Sequence, residues 1–340
     1  MSKKIYIILG NGFSINLVNK LGLEQYIDLQ NLFAKGDEVQ WPGEEGGGFL
    51  SKKHCNNLWT LGARTTMDKG EANQFIADLI TCYNVYNTAQ MITPSFRSIT
   101  SNIYREAHNE LSTYLKHLFM YYNSKISDAE LKALSYTPII DLIQNEIGKG
   151  SSIVIITYNY DVFLERLLKL KGISFGVYGF SNNMKDNNVK ILKPHGSISF
   201  TSKKLNPVGK KFDIKDTFNS MEMPITHLKL DYKLQEDRSL INAIIPPAGD
   251  ANRLAGGWVK YIRSKLKEEI DISSSEDELI IYGLSYDYVD RIEIDEILTT
   301  INSGIDVKYI NPYPSRTLEM VIGSIFENYI HLKSADFLRR

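Results

Sequence analysis

The chain has 340 residues, a formal net charge of −1, 43% hydrophobic and 23% charged residues. This is the composition of an ordinary soluble globular protein with a large core, and its charge argues against a surface dominated by nucleic acid or anionic membrane. Two cysteines, Cys55 and Cys82, are too few for a disulfide framework or a four-cysteine zinc site, and read as thiols of a reducing cytosol.

The N-terminal run from Met1 to Gly10 is too short for a secretory signal, and no stretch approaches transmembrane length, so the expected location is cytoplasmic. Ile5-Tyr-Ile-Ile-Leu9 reads as a buried strand. It runs into Gly10-Asn11-Gly12-Phe13-Ser14 and then a helix. That layout fits a dinucleotide-phosphate turn: the first glycine allows the tight turn, and the second lets backbone approach phosphate at a helix N-terminus. The third glycine of the dehydrogenase fingerprint is missing, and a plain glycine turn fits equally well. Next come a flexible Gly43 to Gly48 loop and a helix around Glu71 to Tyr86. Phe96, Ile99, Ile103, Ala107, Leu111, Tyr114, Leu118 and Tyr122 recur at steps of three and four, which predicts a long amphipathic helix. His108 and His117 on that helix read as packing or surface residues, not metal ligands. Ser127-Asp-Ala-Glu130 is a capping box, and Pro138 opens a helix that ends near Gly148. Residues 17–150 therefore read as a helical insertion.

Ile153 to Ile156 are four consecutive β-branched apolar residues, the pattern of a strand buried on both faces of a parallel sheet. The run ends in Thr157, Asn159 and Asp161, where open α/β sheets bind ligands; Asp161 is equally placed to cap the helix beginning at Val162. After a loop-rich portion with Gly176, Gly179 and Ser181-Asn-Asn183, the strand Val189 to Leu192 ends in Lys193-Pro194-His195-Gly196-Ser197. Proline fixes φ before His195 and glycine gives room after it. This makes the histidine a candidate acid/base, or a residue capping a turn. Lys203, Lys204, Lys210, Lys211 and Lys215 are diluted by Asp213 and Asp216, so residues 201–240 read as a solvated loop. Ala243 to Pro247 ends an apolar run in a rigid turn. A helix over 254–270 and a surface loop at Ser273 to Asp277 follow. Leu279 to Tyr282 is a strand leading into Gly283-Leu284-Ser285. A helix from Asp290 to Ile301, a strand from Ile305 to Ile310 ending in Asn311-Pro312, and a helix from Arg316 to Tyr329 close the chain. Strands ending in small polar residues and alternating with helices predict an α/β fold: a Rossmann-like, doubly wound, mostly parallel sheet with a large helical insertion, in one domain over 1–340.

Gly10-Asn-Gly-Phe-Ser14, Thr157-Tyr-Asn-Tyr-Asp161, Lys193-Pro-His-Gly-Ser197, Gly283-Leu-Ser285 and Asn311 all fall at or just after strand ends. In this order they resemble the sirtuin-like (silent information regulator) superfamily, and more narrowly its bacterial antiphage-defence branch. The resemblance implies an NAD-binding domain that breaks the nicotinamide–ribose bond of NAD+, its substrate. It implies that Gly10, Gly12, Phe13 and Ser14 face the phosphates and the nicotinamide ribose. Asn159 would hold the ribose or the attacking water, Asp161 would contact the ribose or carboxamide, and His195 would be the general base. Gly283 and Ser285 would bind phosphate or ribose, and Asn311 the adenosine ribose. No metal is implied. The four zinc cysteines of deacetylating sirtuins are missing, and no arginine follows Gly12 closely, so water is favoured over acyl-lysine as acceptor. The implied activity is NAD hydrolysis to nicotinamide and ADP-ribose by an abortive-infection effector. Alternatives are a deacylase, an ADP-ribosyltransferase, or a non-catalytic NAD or ADP-ribose sensor. The implied partners are further copies of the chain and a HerA-type ATPase, with neither membrane nor direct nucleic-acid binding.

Overall fold

A computed structural model describes residues 2–43, 47–92, 99–134, 137–181, 184–204, 211–216, 218–219, 223–234, 241–246, 257–286 and 291–339. Residues 44–46 of the glycine loop, Phe96, Asn182, Asn183, Lys210, Pro247, the 254–256 start of its helix, and Asp290 lie outside the described residues. In chain order the elements are β1 (Lys4–Leu9), α1 (Asn11–Leu21), α2 (Asn56–Leu61), α3 (Lys69–Ile92), α4 (Ile99–Ser124), α5 (Asp128–Ala133), α6 (Pro138–Gly148), β2 (Ser152–Thr157), α7 (Phe163–Leu170), β3 (Phe175–Val177), β4 (Val189–Leu192), β5 (Phe200–Ser202), β6 (Phe218–Asn219), β7 (Leu228–Leu230), β8 (Ile241–Asn242), α8 (Gly257–Ile270), β9 (Glu278–Tyr282), α9 (Arg291–Thr300), β10 (Asp306–Ile310), α10 (Arg316–Ile325) and β11 (Tyr329–Leu332). They fall into two compact units. One is Met1–Gly22, Ile126–Pro194 and Trp258–Arg340; the other is Leu23–Lys125 and His195–Gly257.

The first unit is an α/β sheet of Rossmann type. Its seven strands run in the order β11-β10-β9-β1-β2-β4-β3, and every neighbouring pair is parallel. The apolar runs explain this choice. Ile5 to Leu9, Ile153 to Ile156 and Leu279 to Ile281 are buried on both faces, which only a sheet covered on both sides allows. From β1 the chain adds β2, then β3 at the far edge and β4 between them, and then crosses to β1's other edge for β9, β10 and β11. The winding therefore reverses between β1 and β9, and ligands of such sheets bind outside the carboxyl ends of the strands at that reversal. The expected capping box is present: Ser127 Oγ accepts from the Glu130 N–H while the Glu130 carboxylate accepts from the Ser127 N–H. Pro138 stands at the first position of α6.

Two strands of this sheet differ from the sequence expectation. The predicted final helix stops at Ile325, and Tyr329–Leu332 instead forms β11 on β10. β3 lies in the stretch read as loop. Both are edge strands of three or four residues, and β11 is largely exposed, so neither shows the apolar run that marks the inner strands.

The second unit is built on α4. Ala107, Leu111, Tyr114, Leu118 and Tyr122 are buried as the periodicity requires. Tyr114 and Tyr122 donate to the carbonyls of Leu32 and Asp28 at 2.7 and 2.9 Å, tying α4 to the chain before α2. His108 stacks on Tyr83 with ring centroids 3.8 Å apart, and His117 stacks on Phe49 at 4.9 Å. Both histidines serve packing. The buried carboxylate of Glu110 accepts from the N–H groups of Asn57 and Leu58 and from the Asn57 amide, so it caps α2 from across the unit. Within the stretch read as a solvated loop, β5 pairs antiparallel with β7, and β6 pairs parallel with β8. These strands are too short for a periodic signal.

Candidate functional site

The site begins with backbone. At the end of β1 the chain turns through Gly10 into α1 with no side-chain cap hydrogen bond and no acidic residue in the first turn, so the positive end of the helix dipole faces the strand ends. This turn lies directly on the turn after β9. Gly10 N donates to Tyr282 O at 3.0 Å, Gly12 N donates to Gly283 O at 2.9 Å, and Gly283 N donates to Ile310 O at 2.9 Å. A Cβ on Gly10 would stand 2.5 Å from Gly283 O, and one on Gly12 would stand 2.6 Å from Gly283 Cα. Gly283 itself has φ of 61°. The first two glycines are therefore required by close approach and the third by both approach and conformation. Phe13 is buried edge-on against Tyr282, with centroids 5.9 Å apart.

The polar side chains arrive from the end of β2. The Asn159 amide donates to Gly10 O at 3.1 Å and to Ser14 Oγ at 3.0 Å. Ser14 Oγ in turn donates to Asp161 Oδ2 at 2.7 Å. The other Asp161 oxygen accepts from the Phe163 N–H at 3.0 Å, so Asp161 also steadies the first turn of α7. Asn159 is half-buried, whereas Ser14 and Asp161 are buried. Burial raises the Asp161 pKa above the ordinary carboxylate value, against the Lys193 ammonium, the Ser14 hydroxyl and the Phe163 N–H, which all lower it. Asn311, after β10, donates through its amide to Leu284 O at 3.3 Å and to the Tyr309 hydroxyl at 3.2 Å, which ties it to the Gly283 turn. Ser285 is exposed on that turn.

The structure thus gathers Gly10, Gly12, Phe13, Ser14, Asn159, Asp161 and Gly283 at the carboxyl ends of β1, β2 and β9, with Asn311 attached beside them. His195 belongs to the other unit. There it is buried, its carbonyl accepts from the Ile245 N–H at 3.0 Å, and Gly196 after it has φ of 80° and bridges to Ile244. The room that the sequence assigns to Gly196 is a left-handed turn.

The sequence assigns no role to two residues of the neighbourhood: Glu165, and Lys193 at the head of the Lys193-Pro-His-Gly-Ser197 run. Lys193, the first residue after β4, is fully buried. Its ammonium donates to the main-chain carbonyl of Asp161 at 2.6 Å and to Glu165 Oε1 at 2.9 Å. Glu165 lies in the first turn of α7 and is 1% exposed. A charge among Leu164, Leu167 and Leu168 is the available signal, since a charged residue on a buried stripe requires a partner.

Residues 153–241 match the family model of the SIR2-like domain. That segment is similar to a SIR2-like domain. The matched segment holds Asn159, Asp161, Glu165, Lys193 and His195, while Gly10 to Ser14, Gly283, Ser285 and Asn311 lie outside it. The match supports an NAD-related function of sirtuin type. No curated protein matches the chain. Among solved structures, the putative HAD-hydrolase YfnB from Bacillus subtilis bound to magnesium is similar at 12% identity, over 99% of this chain and 97% of that one. The TM-score is 0.29, and the likeness carries no argument about fold or function. Among the described residues no group of His, Cys, Asp and Glu could hold a metal ion, and no helix is long and apolar enough to cross a membrane.

Proposed function

We propose that this sirtuin-like chain is an NAD glycohydrolase that cleaves the nicotinamide–ribose bond of NAD+ and passes the ribosyl group to water. The observation that carries the reading is the Asn159 amide bonded to both Gly10 O and Ser14 Oγ, at the sheet's winding reversal. An amide, a hydroxyl and the acid-free N-terminus of α1 suit a dinucleotide: the positive end of the helix for phosphate, side-chain groups for the ribose. In the reaction the C1′–N bond breaks and its electron pair leaves with nicotinamide. The oxocarbenium-like ribosyl cation is met by a water oxygen, and the proton of that water passes to a base. Asn159 orients the ribose or the water, and His195 is the base. Asp161 acts through Ser14, since one of its oxygens holds that hydroxyl and the other holds the Phe163 N–H. Gly10, Gly12, Phe13, Ser14, Gly283 and Ser285 bind the phosphates and nicotinamide ribose, and Asn311 the adenosine ribose. With two cysteines in the whole sequence, the chain cannot supply the four-cysteine zinc module of deacylating relatives, which supports water as the acceptor.

The test is incubation of the purified protein with NAD+ alone, followed by chromatography. Nicotinamide and ADP-ribose should appear with no peptide present, and Asn159→Ala or His195→Ala should abolish both while the fold is kept. Unchanged NAD+ consumption by both variants would overturn the assignment. The biological reading that follows is an antiphage, abortive-infection effector in the cytoplasm that depletes cellular NAD+, controlled by self-assembly or by a HerA-type ATPase. Loss of phage protection in the Asn159→Ala strain, and co-purification with such an ATPase, are its tests.

A further inference from the structure

We infer that Lys193 and Glu165 are positioning residues of the strand-end site, with Lys193 holding the 158–161 turn in the shape that aims Asn159 and Asp161 at Ser14. The inference rests on the proposed NAD chemistry only for its catalytic readout. β2 and β4 are neighbours in register, Ile156 opposite Leu192, so Thr157, the last residue of β2, and Lys193, the first after β4, stand side by side at the strand ends. From there the chain after β2 turns toward α7 without further ladder bonds to β4. The Lys193 ammonium reaches back and grips the carbonyl of Asp161, the residue whose carboxylate receives the Ser14 hydroxyl. Glu165, one helical turn after Asp161, holds the same ammonium from the α7 side. One cation therefore ties β4, the turn and the start of α7 together.

Stability alone is a poor reason for such a pair. Both side chains are buried, at 0% and 1% exposure, and Glu165 Oε2 has no hydrogen-bond partner among the described residues. Apolar residues of similar volume commonly serve the fold as well as a buried ion pair does. What they cannot do is bind a main-chain carbonyl and fix its direction. The Lys193 ammonium and the Glu165 carboxylate also flank Asp161, whose pKa burial raises.

The test uses the full chain with Lys193→Met, Lys193→Arg and the paired apolar variant Glu165→Leu/Lys193→Met. Lys190→Met serves as a control, because it breaks a comparable ion pair of β4, with Glu269, away from the turn. Backbone hydrogen exchange over residues 157–163 and steady-state nicotinamide release are measured together. In Lys193→Met and in the paired variant, exchange in that segment should rise about tenfold relative to β2. kcat should fall about 10²-fold with KM little changed, the signature of misplaced groups. Lys193→Arg should recover part of both, and Lys190→Met should change neither. If the paired variant folds and keeps wild-type exchange and kcat, the positioning role is wrong. If the wild type releases no nicotinamide, the glycohydrolase reading fails, and the exchange data alone decide the positioning role. If Lys193→Met does not fold, the paired variant, which leaves no buried charge behind, decides in its place.

Discussion

Gly12→Ala is the sharpest perturbation of the contact on which the site is built. The added methyl carbon would sit 2.6 Å from Gly283 Cα, 2.9 Å from its oxygen and 3.1 Å from its carbonyl carbon. All three are backbone atoms of a strand end, so no side chain can swing away. Reaching ordinary contact at 3.4 Å requires the two turns to part by about 0.8 Å. That movement stretches the Gly12 N to Gly283 O hydrogen bond, now 2.9 Å. Overpacking of this kind costs about 1–3 kcal/mol, and the weakened hydrogen bond places the expected loss at about 2–3 kcal/mol. Gly22→Ala is the internal comparison. Gly22 ends α1 with φ of 67°, and a methyl added there would meet nothing within 4 Å, so only the left-handed conformation is penalised, at about 1 kcal/mol. Urea unfolding is read from Trp258, which is buried in α8 of the sheet unit, in a background where Trp41 and Trp59 of the other unit are replaced by phenylalanine. Gly12→Ala should lower the midpoint more than Gly22→Ala, and should also depress nicotinamide release. A Gly12→Ala protein as stable as wild type, or less damaged than Gly22→Ala, would refute the claim that the glycines are demanded by backbone approach.

Ser14→Ala removes the acceptor of the Asn159 amide and a donor to Asp161 at once; it should cost about 1–3 kcal/mol of stability and most of the NAD+ cleavage, measured by urea titration and product chromatography. Glu110→Ala leaves the Asn57 and Leu58 N–H groups and the Asn57 amide without their carboxylate; thermal melts should show a loss of about 2–4 kcal/mol, with Glu110→Gln intermediate. His108 is held neutral by burial, its pKa pushed down to about 3 from 6.5. Between those values the unfolded chain binds a proton that the folded chain does not, so stability falls as pH drops from 6.5 toward 3, by on the order of 5 kcal/mol in all. His108→Phe should flatten that part of the stability–pH curve in denaturant titrations, and an unchanged slope would show that another group titrates there.

The inner sheet is legible because burial on both faces writes itself into composition: Ile5 to Leu9, Ile153 to Ile156 and Leu279 to Tyr282 have no other comfortable conformation. The residues at their ends follow from the strand-end rule, and the structure joins Asn159 and Asp161 to the glycine turn as that rule anticipates. Short, exposed edge strands such as β11 leave no such pattern, which is why the sequence predicts a helix running on to Tyr329. The Lys193 and Glu165 pair is hidden for a different reason. A charged side chain looks solvated in sequence, and only its three-dimensional partner shows that it is not. The pairing of Leu23–Lys125 with His195–Gly257 in one compact unit is equally unreadable, since nothing local in either segment names the other.

The strand order has a consequence for how the protein comes into being. β1 is synthesised first, yet its two sheet neighbours are β2 and β9, the second lying at Glu278–Tyr282. On the ribosome β1 must wait with one open edge until every residue between Leu9 and Glu278 is made, a condition that favours slow closure and chaperone capture. The glycine turn meets Gly283 only after β9 has been made. A growing copy that has not yet reached Gly283 therefore lacks one wall of the crevice.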